Sequence, residues 1–356
     1  MPLNISQRIK LRVTTQIIGV GVILGLIYVA FSNGFSSLYP FINGGVIGLL
    51  LGSLIAYMEL WVFTTGSRKM RFITLLSLRT IIYTTLIATV IFLTTAISRM
   101  VRFDHSFSQV MQSEEFQTYI LHGNFSVAIL YSLLFAFSIN FTRMISRKMG
   151  QGMLVSFITG TFYQPLVQNR IIMFLGIKNV NEFSDRLNEF DFFDFLNDFF
   201  FDITTPIVLH QGIIYEYVED QIVITWRPEK GIFQANCIRA FFAVVYKLET
   251  RKEYYYERYG MIPDTFASIH NGKLVRSEIG KIKTQIVFHG DAMNTTARLL
   301  SKCKELGKQL IVSKELMSKI DLPLLYYSED LGYFNLKGKL DKIGILSIEE
   351  KNLTTI

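Results

Sequence analysis

Four apolar runs, each long enough to cross a hydrocarbon core of about 30 Å, are packed into the first 145 residues of this chain. They lie near Thr15–Phe31, Phe41–Phe63, Phe72–Ile97 and Phe125–Phe141. Backbone groups inside a bilayer must bond within their own segment, so runs of this length read as helices. Most Asp, Glu and Lys come after Gly150. So abrupt a change in composition marks a domain boundary. The expected division is a four-helix transmembrane domain over 1–145, a linker and lead-in segment over 146–169, and a polar domain over 170–350. The first run has a basic lead-in like that of a signal peptide. It lacks a convincing small-residue cleavage site, and three further runs follow, so it reads as a retained span.

The net charge is +7. Many of the extra cations flank apolar runs: Arg8, Lys10 and Arg12; Arg68, Lys69 and Arg71; Arg143, Arg147 and Lys148. That placement suits lipid headgroups and argues against nucleic acid. By the positive-inside rule both termini and the polar domain are expected in the cytoplasm, with 32–40 and the acidic segment 98–124 outside. Gly44, Gly48 and Gly52 recur every four residues, as do Gly21 and Gly25, a spacing that lets helix backbones approach closely. Packing within the bundle is expected there ahead of a dimer seam. Glu59 and Arg79 sit at matching depth on consecutive spans and either pair or snorkel separately. No inverted repeat, Pro-broken span or polar stripe supports a transporter or channel.

Beyond the linker, apolar periodicity alternates between strand and helix. Arg170–Ile177 is a continuous apolar strand, Glu182–Leu209 is helical, and Gly212–Val218 with Gln221–Trp226 form a hairpin around Glu219-Asp220. A long helix is expected over Phe233–Tyr259. Strands follow near Thr265–His270, Leu274–Ile279 and Thr284–Phe288, then a helix after His289-Gly290, a strand at Lys308–Val312 and a closing hairpin. This order predicts an α+β domain with helices over a mainly antiparallel sheet. Cys237 and Cys303 lie in no metal-binding spacing and read as buried free thiols.

Within that order, His289–Leu299 reads H-G-D-A-M-N-T-T-A-R-L. With Gly212–Trp226, His270–Gly280 and the L-K-G-K at Leu336–Lys339, it makes 152–350 resemble the catalytic domain of class III adenylate/guanylate cyclases. The resemblance is to the membrane-anchored bacterial branch with a four-helix N-terminus. It implies a ferredoxin-like α+β fold and attack of a ribose 3′-hydroxyl on the α-phosphate of a nucleoside triphosphate, releasing pyrophosphate. It also implies a two-ion Mg or Mn site and a homodimer or heterodimer whose subunits share each site. Asn294 and Arg298 match the family's catalytic pair, and their spacing of four sets them on one helix face. Asp220 matches one metal ligand. Glu216 and Val287 fall at the base-recognition positions, and Lys337 and Lys339 at a triphosphate contact.

The match is incomplete. Where the family has the first metal aspartate, this chain has Gly176, and the glycine expected before Asp220 is Glu219. Losing an anionic ligand from a two-ion site costs about 10³-fold or more in rate. Glu219 is the best candidate substitute, ahead of Glu182 and Asp185. Glu216 can accept hydrogen bonds from guanine, but Val287 offers none, so the base stays open. Two readings follow: an active cyclase with rebuilt ligands or a complementary partner, or a pseudo-cyclase that regulates another chain.

Overall fold

The computed structural model describes residues 5–33, 38–63, 71–121, 124–149, 165–280, 285–335 and 342–351. It separates into two compact units, Met1–Lys148 and Met149–Ile356.

The first unit is helical: α1 (Ile5–Asn33), α2 (Leu38–Tyr57), α3 (Phe72–Phe103), two short helices α4 (Phe107–Gln112) and α5 (Glu114–Leu121), and α6 (Asn124–Met149). Three stretches are long and apolar enough to cross a membrane, Pro40–Val62, Phe72–Phe103 and Glu114–Ser146. The first expected span is the helix α1, whose apolar stretch, Thr14–Ile27, is shorter. The segment expected as an outside loop is helical. There Ala96, Val110 and Phe116 bury together, and Ser106 caps α4 with a capping box.

The glycines fasten α1 to α2. A Cβ on Gly21 would stand 2.5 Å from the Gly48 carbonyl oxygen, so no larger residue fits. The small-residue seam is filled within the chain. Glu59 lies in a π-helical turn, Met58–Val62, that continues α2. It accepts a hydrogen bond from Tyr83 (2.7 Å) and faces Arg79 at 3.6 Å and Arg143 at 3.1 Å. The Glu59–Arg79 pair forms, and Arg143 joins it from α6.

The second unit is built on an eight-stranded sheet in the order β2-β3-β1-β4-β6-β8-β7, with β5 added to β4. The strands are β1 (Leu166–Ile177), β2 (Ile213–Val218), β3 (Gln221–Trp226), β4 (Thr265–Ile279), β5 (Gln285–His289), β6 (Leu310–Ser313), β7 (Tyr326–Phe334) and β8 (Ile343–Glu350). Pairing is antiparallel except between β4 and β6. The helices are α7 (Val180–Arg186), α8 (Glu189–Leu209), α9 (Pro228–Ile232), α10 (Asn236–Glu249), α11 (Lys252–Tyr259), α12 (Asp291–Glu305) and α13 (Lys314–Met317).

Alternation along β1 sorts the core into two layers. Ile171, Met173, Leu175 and Ile177 join the Phe-rich α8 and the apolar face of α10. Ile172 and Phe174 face the other way, with Leu274 and with Leu299, Leu300 and Cys303 of α12. Both thiols are free and buried, and burial pushes each up to about 12.

Three expected elements differ. The helix over 182–209 is two helices, because Asn188 leaves the helical path and caps α8 by accepting from the Asp191 amide at 3.0 Å. The helix over 233–259 is interrupted by left-handed Gln234 and Ala235 and again between Glu249 and Lys252. The two strands expected over 265–279 are one, because β1 pairs with it continuously from Leu166↔Arg276 to Ile177↔Thr265.

Candidate functional site

The helix α12 presents the most complete part of the site. Its inner face is buried through Ala292, Thr295, Thr296, Leu299, Leu300 and Cys303, which turns Asn294 and Arg298 to the other side. Asn294 is exposed and Arg298 half-buried. Four residues apart on a helix, they stand roughly 5–6 Å apart at Cβ. The start of α12 lies tight on β4. A Cβ on Gly272 would fall 2.7 Å from the Ala292 Cβ, so this approach requires glycine. Ser268 ties the two elements further by donating to the Thr296 carbonyl at 2.7 Å.

Glu216 and Val287 each sit one residue from a contact that a bulge in β2 makes with β5. The β2–β3 register slips between Ile214 and Glu216, leaving Tyr215 as the extra residue. Tyr215 packs against Phe288 with tilted rings, centroids 4.5 Å apart, and accepts a hydrogen bond from the Phe288 amide at 2.8 Å. Burial pushes the Tyr215 hydroxyl pKa up. Glu216 and Val287 are each adjacent in sequence to one partner of this contact, and both are half-buried. Tyr215 carries no motif of its own, and strand alternation gives no warning of the bulge that aims it.

The Ile177 end of β1 holds the positions expected to ligate metal. Gly176 pairs with Gln221 of β3 and with Phe266 of β4. Asp220 precedes Gln221 in the hairpin turn, so the β1 end and the turn carboxylate are neighbours. A Cβ at Gly176 would stand 3.2 Å from Cε1 of Phe266 and 3.4 Å from Cγ of Gln221. A phenyl ring therefore crowds the space that a side chain at 176 would enter. Glu219 has φ +53°, a left-handed conformation that favours glycine. Among the described residues no three His, Cys, Asp or Glu gather as a metal site. One turn carboxylate beside an apolar ring does not make the two-carboxylate bridge that a pair of divalent ions requires. Glu182 and Asp185 both lie in α7 and form no such cluster with Asp220.

A cavity of about 530 Å³ opens where β4, β6 and the ends of β7 and β8 meet the start of α12. His270, Lys273, Asp291, Lys314, Glu315 and Lys342 are among its lining residues. His270 is held by Ser313 at 2.9 Å, and Lys314 bonds Asp330 at 2.6 Å. Burial pushes Glu315 up, but the hydrogen bonds from Asn271 and Lys319 outweigh it and hold the carboxyl low. Lys273 is a cation at this cavity that the sequence patterns did not single out as a site residue. Lys337 and Lys339 lie outside the described residues.

No family model matches the chain. Adenylate cyclase 2 of Rhizobium meliloti (strain 1021) is 29% identical over 226 residues, which is 64% of this chain and 62% of that protein. The match therefore spans less than two thirds of that relative's length. Two structures of a bacterial light-regulated adenylyl cyclase align with TM-score 0.51 and 16% identity. They cover 61% and 62% of this chain, and 64% and 65% of theirs. At that identity the likeness concerns the fold. The second unit is thus a mixed-sheet domain with a cyclase-like fold, in a chain similar in sequence to an adenylate cyclase. The chain joins that domain to a helical region with apolar, membrane-type helices.

Proposed function

We propose that this protein is a membrane-anchored nucleotide cyclase-type subunit that supplies the Asn294/Arg298 half of a site shared with a second chain. The reaction is conversion of a nucleoside triphosphate to a 3′,5′-cyclic nucleotide and pyrophosphate. The observation that carries the reading is the display of Asn294 and Arg298 on the outward side of a tightly docked α12, in the fold of the cyclase relatives.

In this reading Asn294 orients the ribose by hydrogen bonding, and Arg298 holds negative charge as it develops on the reacting phosphate. Divalent ions, Mg or Mn, activate the attacking hydroxyl when bound. Their carboxylates come from the partner chain, because Gly176 and Phe266 leave this chain's own corner with Asp220 alone. The same corner favours a second reading, in which a dimer of this chain alone is non-catalytic and regulates another cyclase. The cytoplasmic placement of the domain follows from the cation clusters beside the apolar runs.

The test is turnover by the purified full chain in lipid nanodiscs, with each of the four ribonucleoside triphosphates and Mg²⁺ or Mn²⁺. Weak turnover that rises in Gly176→Asp supports the catalytic reading. No cyclic product from either form leaves the non-catalytic reading standing.

A further inference from the structure

Three helices of the first unit meet on one carboxylate oxygen. Glu59 sits in the π-helical turn that continues α2, and its Oε1 accepts from the Tyr83 hydroxyl at 2.7 Å. The same oxygen faces Nη1 of Arg79 at 3.6 Å and Nη1 of Arg143 at 3.1 Å. Tyr83 and Arg79 are four residues apart on α3, and so share one face. Arg143 comes from α6, the last helix before the second unit in the sequence.

The three partners are not held alike. The Glu59 and Arg79 side chains are 4% and 1% exposed, and the Arg79 guanidinium lies over the Phe63 ring, 4.5 Å from its centroid. Tyr83 is buried in a cluster with Phe63 and Ala136. The Arg143 side chain is 38% exposed. If Arg143 leaves, Glu59 keeps Tyr83 and Arg79. Its departure therefore strands no buried charge, which is what makes breaking a buried pair costly. The inner face of α6 is also imperfectly matched. Asn140 lies three residues before Arg143 and is fully buried, with Nδ2 donating to the Ala136 carbonyl of its own helix at 2.9 Å. Among the described residues its Oδ1 has no hydrogen-bond partner. An unmet buried acceptor makes this seat of α6 less favourable than a matched one.

The exposure of Arg143 decides what competes for it. It belongs to a cation cluster with Arg147 and Lys148 at the end of an apolar run, where acidic phospholipid headgroups are attracted. A guanidinium fork fits a phosphate as well as a carboxylate. We infer that the Glu59–Arg143 contact is a latch sensitive to bilayer charge. In a neutral bilayer Glu59 holds α6 against its neighbours. Acidic headgroups draw Arg143 off Glu59 and shift α6 away from α3. The π-turn at Glu59 suits this role, because such turns gather at functional positions in helices. The latch is independent of whether the Asn294/Arg298 site turns over substrate.

The test is a distance between α3 and α6 in the full chain, read by double electron–electron resonance. Spin labels go on Ile73→Cys and Ile139→Cys, both exposed positions, while the native thiols Cys237 and Cys303 are buried. Spectra are compared in phosphatidylcholine nanodiscs and in nanodiscs containing phosphatidylglycerol. The expected distance lengthens by about 2 Å or more in the acidic bilayer, the scale of a helix shift. This comparison needs no substitution in the cluster itself. Arg143→Ala, a change at its most exposed member, should give the longer distance in both bilayers. An equal distance in the two bilayers with Arg143 present, or a lipid response that survives in Arg143→Ala, overturns the latch.

Discussion

The two ends of the candidate site are built to different standards. At α12, close packing does the positioning: Gly272 admits Ala292, Ser268 holds the Thr296 carbonyl, and Asn294 and Arg298 emerge on the outward side. At the far end of β1 the scaffold is equally regular, and Gly176 pairs in register with both neighbouring strands. What differs there is the side chains: position 176 is a glycine crowded by Phe266, and Glu219 holds a left-handed turn. A scaffold kept beside an absent ligand is what a subunit needs if it docks against a partner that brings the carboxylates. The difference lies in the side chains and not in the strand pairing of one sheet.

The largest effect should come from the intact end. In any assembly of this chain that makes cyclic nucleotide, Arg298→Ala should lower the rate about 10²–10³-fold, the scale of removing one transition-state donor. Asp220→Ala in the same assembly should cost far less, because the metals are held elsewhere. Comparable losses from both would break the comparison. Gly176→Asp comes next. Restoring a carboxylate beside Asp220 should raise Mn²⁺-dependent turnover of the chain alone at least about tenfold. Pairing it with Phe266→Leu, to relieve the 3.2 Å approach, should raise it further.

Packing supplies two smaller tests. Gly272→Ala pushes a methyl toward Ala292 and should destabilise the second unit by about 1–3 kcal/mol in chemical denaturation, because overpacking at a close contact is poorly absorbed. Glu219→Gly removes a left-handed glutamate at a cost in chain entropy, and should stabilise by only about 0.5 kcal/mol. A destabilised Glu219→Gly would mean that the Glu219 side chain serves the corner after all.

Much of this was legible in the sequence. The apolar runs announced long apolar helices, three of them long enough to cross a membrane, and most of the order of strands and helices along the second unit followed from alternation and turn residues. The H-G-D-A-M-N-T-T-A-R-L run located α12 because a loop, a cap and a helix face must all agree over a few residues. The Gly176 gap was equally plain. What escaped depends on partners far apart in the chain. The bulge at Tyr215 is visible only through Phe288 of β5, and the crowding by Phe266 only through the register of β4. Asn188 and Gln234 broke expected helices because capping and left-handed turns are local choices that apolar periodicity does not record.

The central claim, that this chain carries one usable half of a shared site, is tested most directly by complementation. Full-length chain bearing Gly176→Asp with Arg298→Ala has a rebuilt metal corner and a disabled α12. Mixed with wild-type chain in nanodiscs, it should make cyclic nucleotide several-fold faster than the sum of the two assayed apart, and Arg298→Ala in the second chain should abolish the gain. A mixture no faster than that sum would contradict the account.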